Sequence, residues 1–154
     1  MGSGTETSSP DLLFRIEHDA MVRLAVLLVG SRPAAEEIVQ DSFSVVLERW
    51  ATLDRPGAYL RTVVVNGCRM ALRRRETERR HRELDPPLPV DAPVELVELH
   101  QALTSLPVRQ RVVVVLRYFV DRTDAEIAET LGCRPATVRS LAHRGLIRLR
   151  KELA

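Results

Sequence analysis

Four prolines fall within eight residues of the stretch LDPPLPVDAPVE, at positions 86, 87, 89 and 93, and no other feature limits the possible folds as strongly. Each lacks the backbone N–H that a helix or sheet interior uses, and its ring pushes the preceding residue toward extended backbone. The stretch therefore reads as an extended, semi-rigid linker over residues 83–94. It divides the 154-residue chain into two parts, residues 11–82 and 95–154. An apolar content of 45% is enough for both to form compact cores.

The N-terminal part has helical periodicity throughout. LLFRIEHDAMVRLAVLLVG sets Leu12, Ile16, Ala20, Leu24, Leu27 and Leu28 on one side, and Gly30 stops the helix. A second helix begins near Pro33, where a missing N–H costs nothing, and Glu36 and Glu37 in its first turn complement the helix dipole. It runs to about Trp50, with Phe43, Val46, Leu47 and Trp50 expected in the core. Asp54, Arg55, Pro56 and Gly57 form a turn, and one long helix follows from near Pro56. Its Tyr59, Leu60, Val63, Val64, Gly67, Cys68, Ala71 and Leu72 can face the first two helices, which leaves Arg61, Asn66, Arg69, Arg73 and Arg74 for water or a ligand.

Beyond the linker, VELVELHQALTSL, PVRQRVVVVLRYFV, TDAEIAETLG and PATVRSLAHRGLIRLRKEL read as four helices, broken at Pro107, at Asp121 and Arg122, and between Gly132 and Arg134. The run Val112 to Val115 could pass for a buried strand. Helix is preferred, because there is no second strand to pair with it and Arg111, Val115, Leu116 and Phe119 keep helical spacing. The expected fold is all-α: two small helical domains joined by a Pro-rich linker.

The last two helices have the pattern of a helix-turn-helix. Ile127, Ala128 and Leu131 supply the inner face of the first, Gly132 permits a tight turn, and Val138, Leu141, Ala142, Gly145, Leu146 and Leu149 form one inward stripe on the second. Arg139, Ser140, His143 and Arg144 are thereby turned outward, where a recognition helix meets the major groove. Arginine can donate a fork to guanine or phosphate, and serine suits phosphate oxygens. Thr137 is placed to cap the helix or to touch phosphate. The motif alone fits a dimeric repressor, a response-regulator output domain or a promoter-recognition subunit equally well.

Charge supports a polyanionic partner. The net charge is only +2, yet residues 55–82 hold nine Arg against two Glu, and residues 107–154 hold ten Lys plus Arg against five acids. Two basic helical segments suggest two contacts with nucleic acid. Chemistry of other kinds finds little support. Cys68 and Cys133 lack CxxC or CxxxH company, His18, His81, His100 and His143 stand apart at non-metal spacings, and no phosphate loop or nucleophile setting occurs, so neither enzyme activity, metal nor cofactor is expected. The start MGSGTETSSPD has no signal-peptide character and no eighteen-residue apolar run exists, so the expected location is the cytoplasm, without membrane insertion.

AEEIVQDSFSVVLERW, AYLRTVVVNGCRMALRRR and LPVRQRVVVVLRYFVDRTDAEIAETLGCRPATVRS, with the Pro-rich break before the last, together resemble the two domains of an extracytoplasmic-function sigma factor of bacterial RNA polymerase. The resemblance implies a subunit that binds core polymerase, at its clamp helices and flap, and promoter DNA, with an anti-sigma protein as a further candidate partner. Residues 11–82 would bind polymerase and read and melt the −10 element; residues 95–154 would read the −35 element. Glu37, Gln40 and Asp41 match clamp-binding positions. Asn66 matches a characteristic base-reading asparagine, with Arg55, Arg69, Arg73 and Arg74 on the −10 backbone. Thr137, Arg139, Ser140, His143 and Arg144 fall on the −35 recognition helix. Leu141 stands where many relatives carry Arg, and the Asp54 to Gly57 turn is short and lacks the aromatic often found there. The rival reading is a self-contained dimeric helix-turn-helix regulator.

Overall fold

A computed structural model of the chain describes residues 9–81 and 94–154, apart from the side chains of 79–81. The linker expected at 83–94 falls almost wholly outside the described residues. Within them the chain forms seven α-helices and one short 3-10 turn.

Three helices precede the linker: α1 (Pro10–Val29), α2 (Arg32–Glu48) and α3 (Pro56–His81), with a 3-10 turn at Trp50–Thr52 before α3. Local chemistry fixes their ends. Ser9 caps α1 by accepting from the Leu12 N–H at 3.2 Å, and Ser31 caps α2 by accepting from the Ala34 N–H at 3.3 Å. Gly30 closes α1 in the left-handed region, φ 73°, and its N–H donates to Val26 O at 2.8 Å. The Arg75 guanidinium, from α3, also donates to the free Val29 carbonyl at that end.

Four helices follow: α4 (Val94–Thr104), α5 (Val108–Tyr118), α6 (Asp124–Leu131) and α7 (Pro135–Leu153). The valine run is helical as expected, and Val112 to Val115 are all fully buried in α5. Arg111 on the same helix is also buried; it donates to Thr104 O and Leu106 O and so satisfies the end of α4. Burial lowers its guanidinium pKa. Gly145 lets α7 lie close on α5, since a Cβ there would come within 2.7 Å of Val114 Cγ2.

Two expectations for the first helices require correction. Leu12 and Ile16 were expected inward but are exposed, whereas Leu13 and Met21 are buried. The reason is that α1 has no single apolar stripe: it packs on α2 and α3 along one side and on α4 and α5 along another. From Met21 to Val29 every residue except Arg23 is buried. Leu47, also expected in the core, is 60% exposed, while Val46 is buried and Phe43 and Trp50 are half-buried. The two helical groups thus share one continuous apolar cluster. At the seam His100 Nδ1 lies 3.0 Å from Leu27 O, and its ring occupies the space that a side chain on Gly30 would need.

Candidate nucleic-acid interface

The helix-turn-helix is built from α6 and α7. Thr123 and Glu126 form a reciprocal capping box at the start of α6: Thr123 Oγ1 accepts from the Glu126 N–H and Glu126 Oε1 accepts from the Thr123 N–H, both at 3.1 Å. Gly132 ends α6 with φ 66°, which turns the chain into α7. Ile127 and Ala128 are buried and Leu131 half-buried against α7, whose Val138, Leu141, Ala142, Gly145 and Leu149 are buried in turn. The inward stripe is therefore as the spacing predicts, with Leu146 at its half-buried edge.

On the outward side Arg139, Ser140, His143 and Arg144 are all exposed, and Arg144 Nη2 donates to Ser140 Oγ at 2.7 Å. That bond braces the guanidinium along the helix face. Leu141 is buried, so at this position the chain contributes to the core and presents nothing to a groove. Thr137 is half-buried in the first turn and does not cap the helix: Arg134 occupies the capping position and makes no side-chain cap bond.

A second polar and basic face runs along α3. Asn66, Arg73 and Arg74 are exposed and Arg69 is half-buried, at spacings that keep Asn66, Arg69 and Arg73 on one side. Met70 is exposed among them. Arg61 was expected to face water or a ligand with this group, and it does not. It is 6% exposed at the seam, with Nη2 at 3.4 Å from Glu126 Oε2. Desolvation lowers its pKa and the nearby Arg122 adds to the effect, while Glu126 opposes it. Arg55, before α3, is exposed at its side chain but not free: Nη1 donates to both carboxylate oxygens of Glu129, at 2.9 and 2.7 Å.

Glu126 and Glu129 were not among the residues singled out from the sequence. The capping-box spacing Thr123-x-x-Glu126 signals only the local role of Glu126. Burial alone would push its carboxyl up, but the Thr123 amide and hydroxyl together with Arg61 and Arg122 hold it below the ordinary range.

The third surface is on α2, where Glu37, Gln40 and Asp41 are all exposed. Exposed Leu47 lies two turns beyond Gln40 on the same side, so an apolar contact extends the polar patch. Among the described residues no helix is long and apolar enough to cross a membrane.

Comparison with known proteins accounts for both helical groups. Residues 13–78 match the family model described as Sigma-70 region 2, and residues 96–149 match Sigma-70, region 4. The chain is 35% identical over 146 residues to the RNA polymerase sigma-E factor of Streptomyces coelicolor, covering 90% of this chain and 82% of that protein. It is 32% identical over 168 residues to the ECF RNA polymerase sigma factor SigE of Mycolicibacterium smegmatis, covering 99% of this chain and 65% of that protein. In fold it is similar to the sigma factor RpoE of Bartonella quintana, solved in complex with the anti-sigma factor NepR, with TM-score 0.76, 21% identity and coverage of 91% and 93% of the two chains. Because region 2 and region 4 both match, in that order, the rival reading of the N-terminal helices as the sensing or dimerisation part of a self-contained regulator is not favoured. The chain belongs to the sigma-70 family, among the extracytoplasmic-function sigma factors of RNA polymerase.

Proposed function

We propose that the three outward faces divide the work of initiation among them. The α2 face, Glu37, Gln40 and Asp41 with Leu47 beside them, docks on the clamp helices of core polymerase. The α3 face engages the −10 element, with Asn66 holding a base edge and Arg55, Arg69, Arg73 and Arg74 holding phosphates. The α7 face enters the major groove at −35 through Arg139, Ser140, His143 and Arg144, with Thr137 near the backbone, while residues 95–154 rest on the polymerase flap. The chain acts by binding and by capturing an unstacked base, in the cytoplasm with polymerase, and no reaction or cofactor is assigned to it. An anti-sigma protein is a further partner consistent with its fold.

The observation that carries this reading is the presence, in one chain, of two separate outward basic faces and a third face that is polar, acidic and without Arg. Asn66→Ala tests it. The variant should assemble with core polymerase normally, because α2 is untouched, and should lose strand opening measured by permanganate reactivity. A template with a pre-melted −10 bubble should recover much of the loss, since the unstacking cost of about a few kcal/mol is already met. Wild-type opening together with wild-type base preference in the variant would remove Asn66 from the site.

A further inference from the structure

The outward face of α3 is polar and basic except at one point. Among the described residues of α3 only Met70 is large, apolar and exposed, at 58%. Loose packing does not put it there. Leu60, Val64, Val65 and Cys68 are fully buried on the inner side of the helix, and Gly67 lies so close to α2 that a Cβ on it would come within 2.9 Å of Ile38 Cγ2. That approach fixes the rotation of α3 and, with it, the outward direction of Met70. Exposed Asn66 and Arg74 flank it four residues to either side and exposed Arg73 stands three residues on, so the four share one ridge.

A thioether brings neither charge nor a hydrogen-bond donor to a phosphate. What it offers is a soft apolar contact of adaptable shape. In the major groove the four bases carry one apolar feature between them, the C5 methyl group of thymine, and apolar side chains read it by contact. At about 1.5 Å of helix rise per residue Met70 stands about 6 Å along α3 from Asn66, which is one to two base steps of about 3.4 Å. Arg73 and Arg74, on the next turn, can hold the strand against the helix while Met70 meets a base near the one held by Asn66.

We propose that Met70 is a specificity-determining residue, which reads the methyl group of a thymine in the −10 element one or two positions from the base held by Asn66. The inference rests on the assignment of α3 to that element. It adds a base preference that arginine contacts to phosphate cannot supply. Taking away the methyl group removes an apolar contact of one carbon, a loss of about four-fold in occupancy.

The test uses the full chain assembled with purified core polymerase, with abortive transcript yield as the readout. From a promoter library randomised across the −10 element, the wild-type chain should select thymine at one position, one or two steps from the base whose identity depends on Asn66. Met70→Gln, of similar length but polar, should lose that preference, and Met70→Leu, still apolar, should keep it. On a selected promoter, deoxyuridine in place of that thymine removes only the methyl group. It should lower the wild-type yield about three- to five-fold and leave the Met70→Gln yield unchanged. Absence of a selected thymine, or loss of the preference in Met70→Leu to the same extent as in Met70→Gln, would overturn the proposal. An equal loss on deoxyuridine by wild type and Met70→Gln would also overturn it, and a Met70→Gln chain weaker on both templates would then make Met70 a wedge against the base stack. Arg73→Ala separates the inference from the reading beneath it, since it should lower the yield from every template by a similar factor and keep the thymine preference. Wild-type yield and base preference in both Arg73→Ala and Asn66→Ala would overturn the assignment of α3 and the inference with it. If those two variants act as expected while Met70→Gln retains the preference, the inference alone fails.

Discussion

Replacing Gly30 by alanine should damage the chain in two separable ways. Gly30 has φ 73°, and an L side chain in that region costs about 1 to 2 kcal/mol. Its Cβ would also lie 2.2, 2.6 and 2.8 Å from three atoms of the His100 ring, so the imidazole must leave its place. That displacement gives up the contact with Leu27 O, about 0.5 to 1.5 kcal/mol, and forces repacking of a half-buried ring. The sum is about 2 to 4 kcal/mol, or roughly 5 to 15 °C in Tm at about 2 to 4 °C per kcal/mol for a chain of this size.

Gly132 supplies the control. It has φ 66° and no atom within 4 Å of a built Cβ, so Gly132→Ala should cost the backbone strain alone, about 1 to 2 kcal/mol. The decisive measurement is a double-mutant cycle by urea unfolding followed at 222 nm. In a His100→Ala background Gly30→Ala should cost no more than Gly132→Ala, a coupling of about 1 to 2 kcal/mol between residues 70 positions apart. Equal costs for Gly30→Ala with and without the imidazole would show that His100 does not sit on the α1 terminus, and the seam drawn through it would have to be abandoned.

Other consequences are simpler to state. Arg139→Ala should weaken use of promoters through the −35 element by about 1 to 3 kcal/mol if it forks to a base, with the loss confined to one base position in a promoter library; transcription unchanged across a range of salt would remove it from the interface. Glu126 has a depressed carboxyl pKa in the folded chain, so its contribution to stability is complete above its ordinary value of 4.5 and is lost as pH falls through the lower folded value. Glu126→Gln, which keeps the capping geometry, should therefore be less stable than wild type at pH 7 by an amount that shrinks as pH falls below 4.5; a gap that stays constant down to acid unfolding would refute the charge assignment. Cys68 is fully buried with its thiol pushed up to about 12, so a thiol reagent at pH 8 should modify half-buried Cys133 and leave Cys68 intact until the chain unfolds.

Helix ends were legible because each is written in a few adjacent residues. Gly30, Pro107 and Gly132 stop or separate helices where expected, and the inward stripe of α7 follows from spacing alone. Facing was legible only where a helix has one covered side. In α1 apolar residues occur nearly all round, and several inward stripes could be drawn; the choice of Leu12 and Ile16 failed because packing on two sides, not periodicity, decides the phase. Arg61 failed for a different reason. A charge at helical spacing reads as solvent-facing, and the carboxylate that lets it be buried is 65 residues further on. Of the two roles open to Thr137, cap or phosphate contact, the cap is excluded because the helix starts earlier, at Pro135. The outward faces on α2, α3 and α7 were accessible to the sequence because exposure is what remains after the core is removed. The pairing of Arg55 with Glu129 was not, since nothing local to either residue names the other.

The burial of α1 on two sides also makes it costly to separate the helical groups before and after the linker. A helix packed on α2 and α3 alone would leave its far side to water, but between Met21 and Val29 only Arg23 is exposed. Separating the helical groups must uncover part of that surface, and each fully buried Val or Leu so exposed costs about 1.5 to 3 kcal/mol. Any ligand that needs the two groups apart is therefore bound with an apparent affinity reduced by the fraction of chains in which they are apart. A partner can shift the balance only through contacts it makes better with the open chain than with the closed one. Core polymerase meets that condition if it holds the two groups apart at promoter spacing, whereas a ligand confined to the α7 face, exposed in the closed form already, does not.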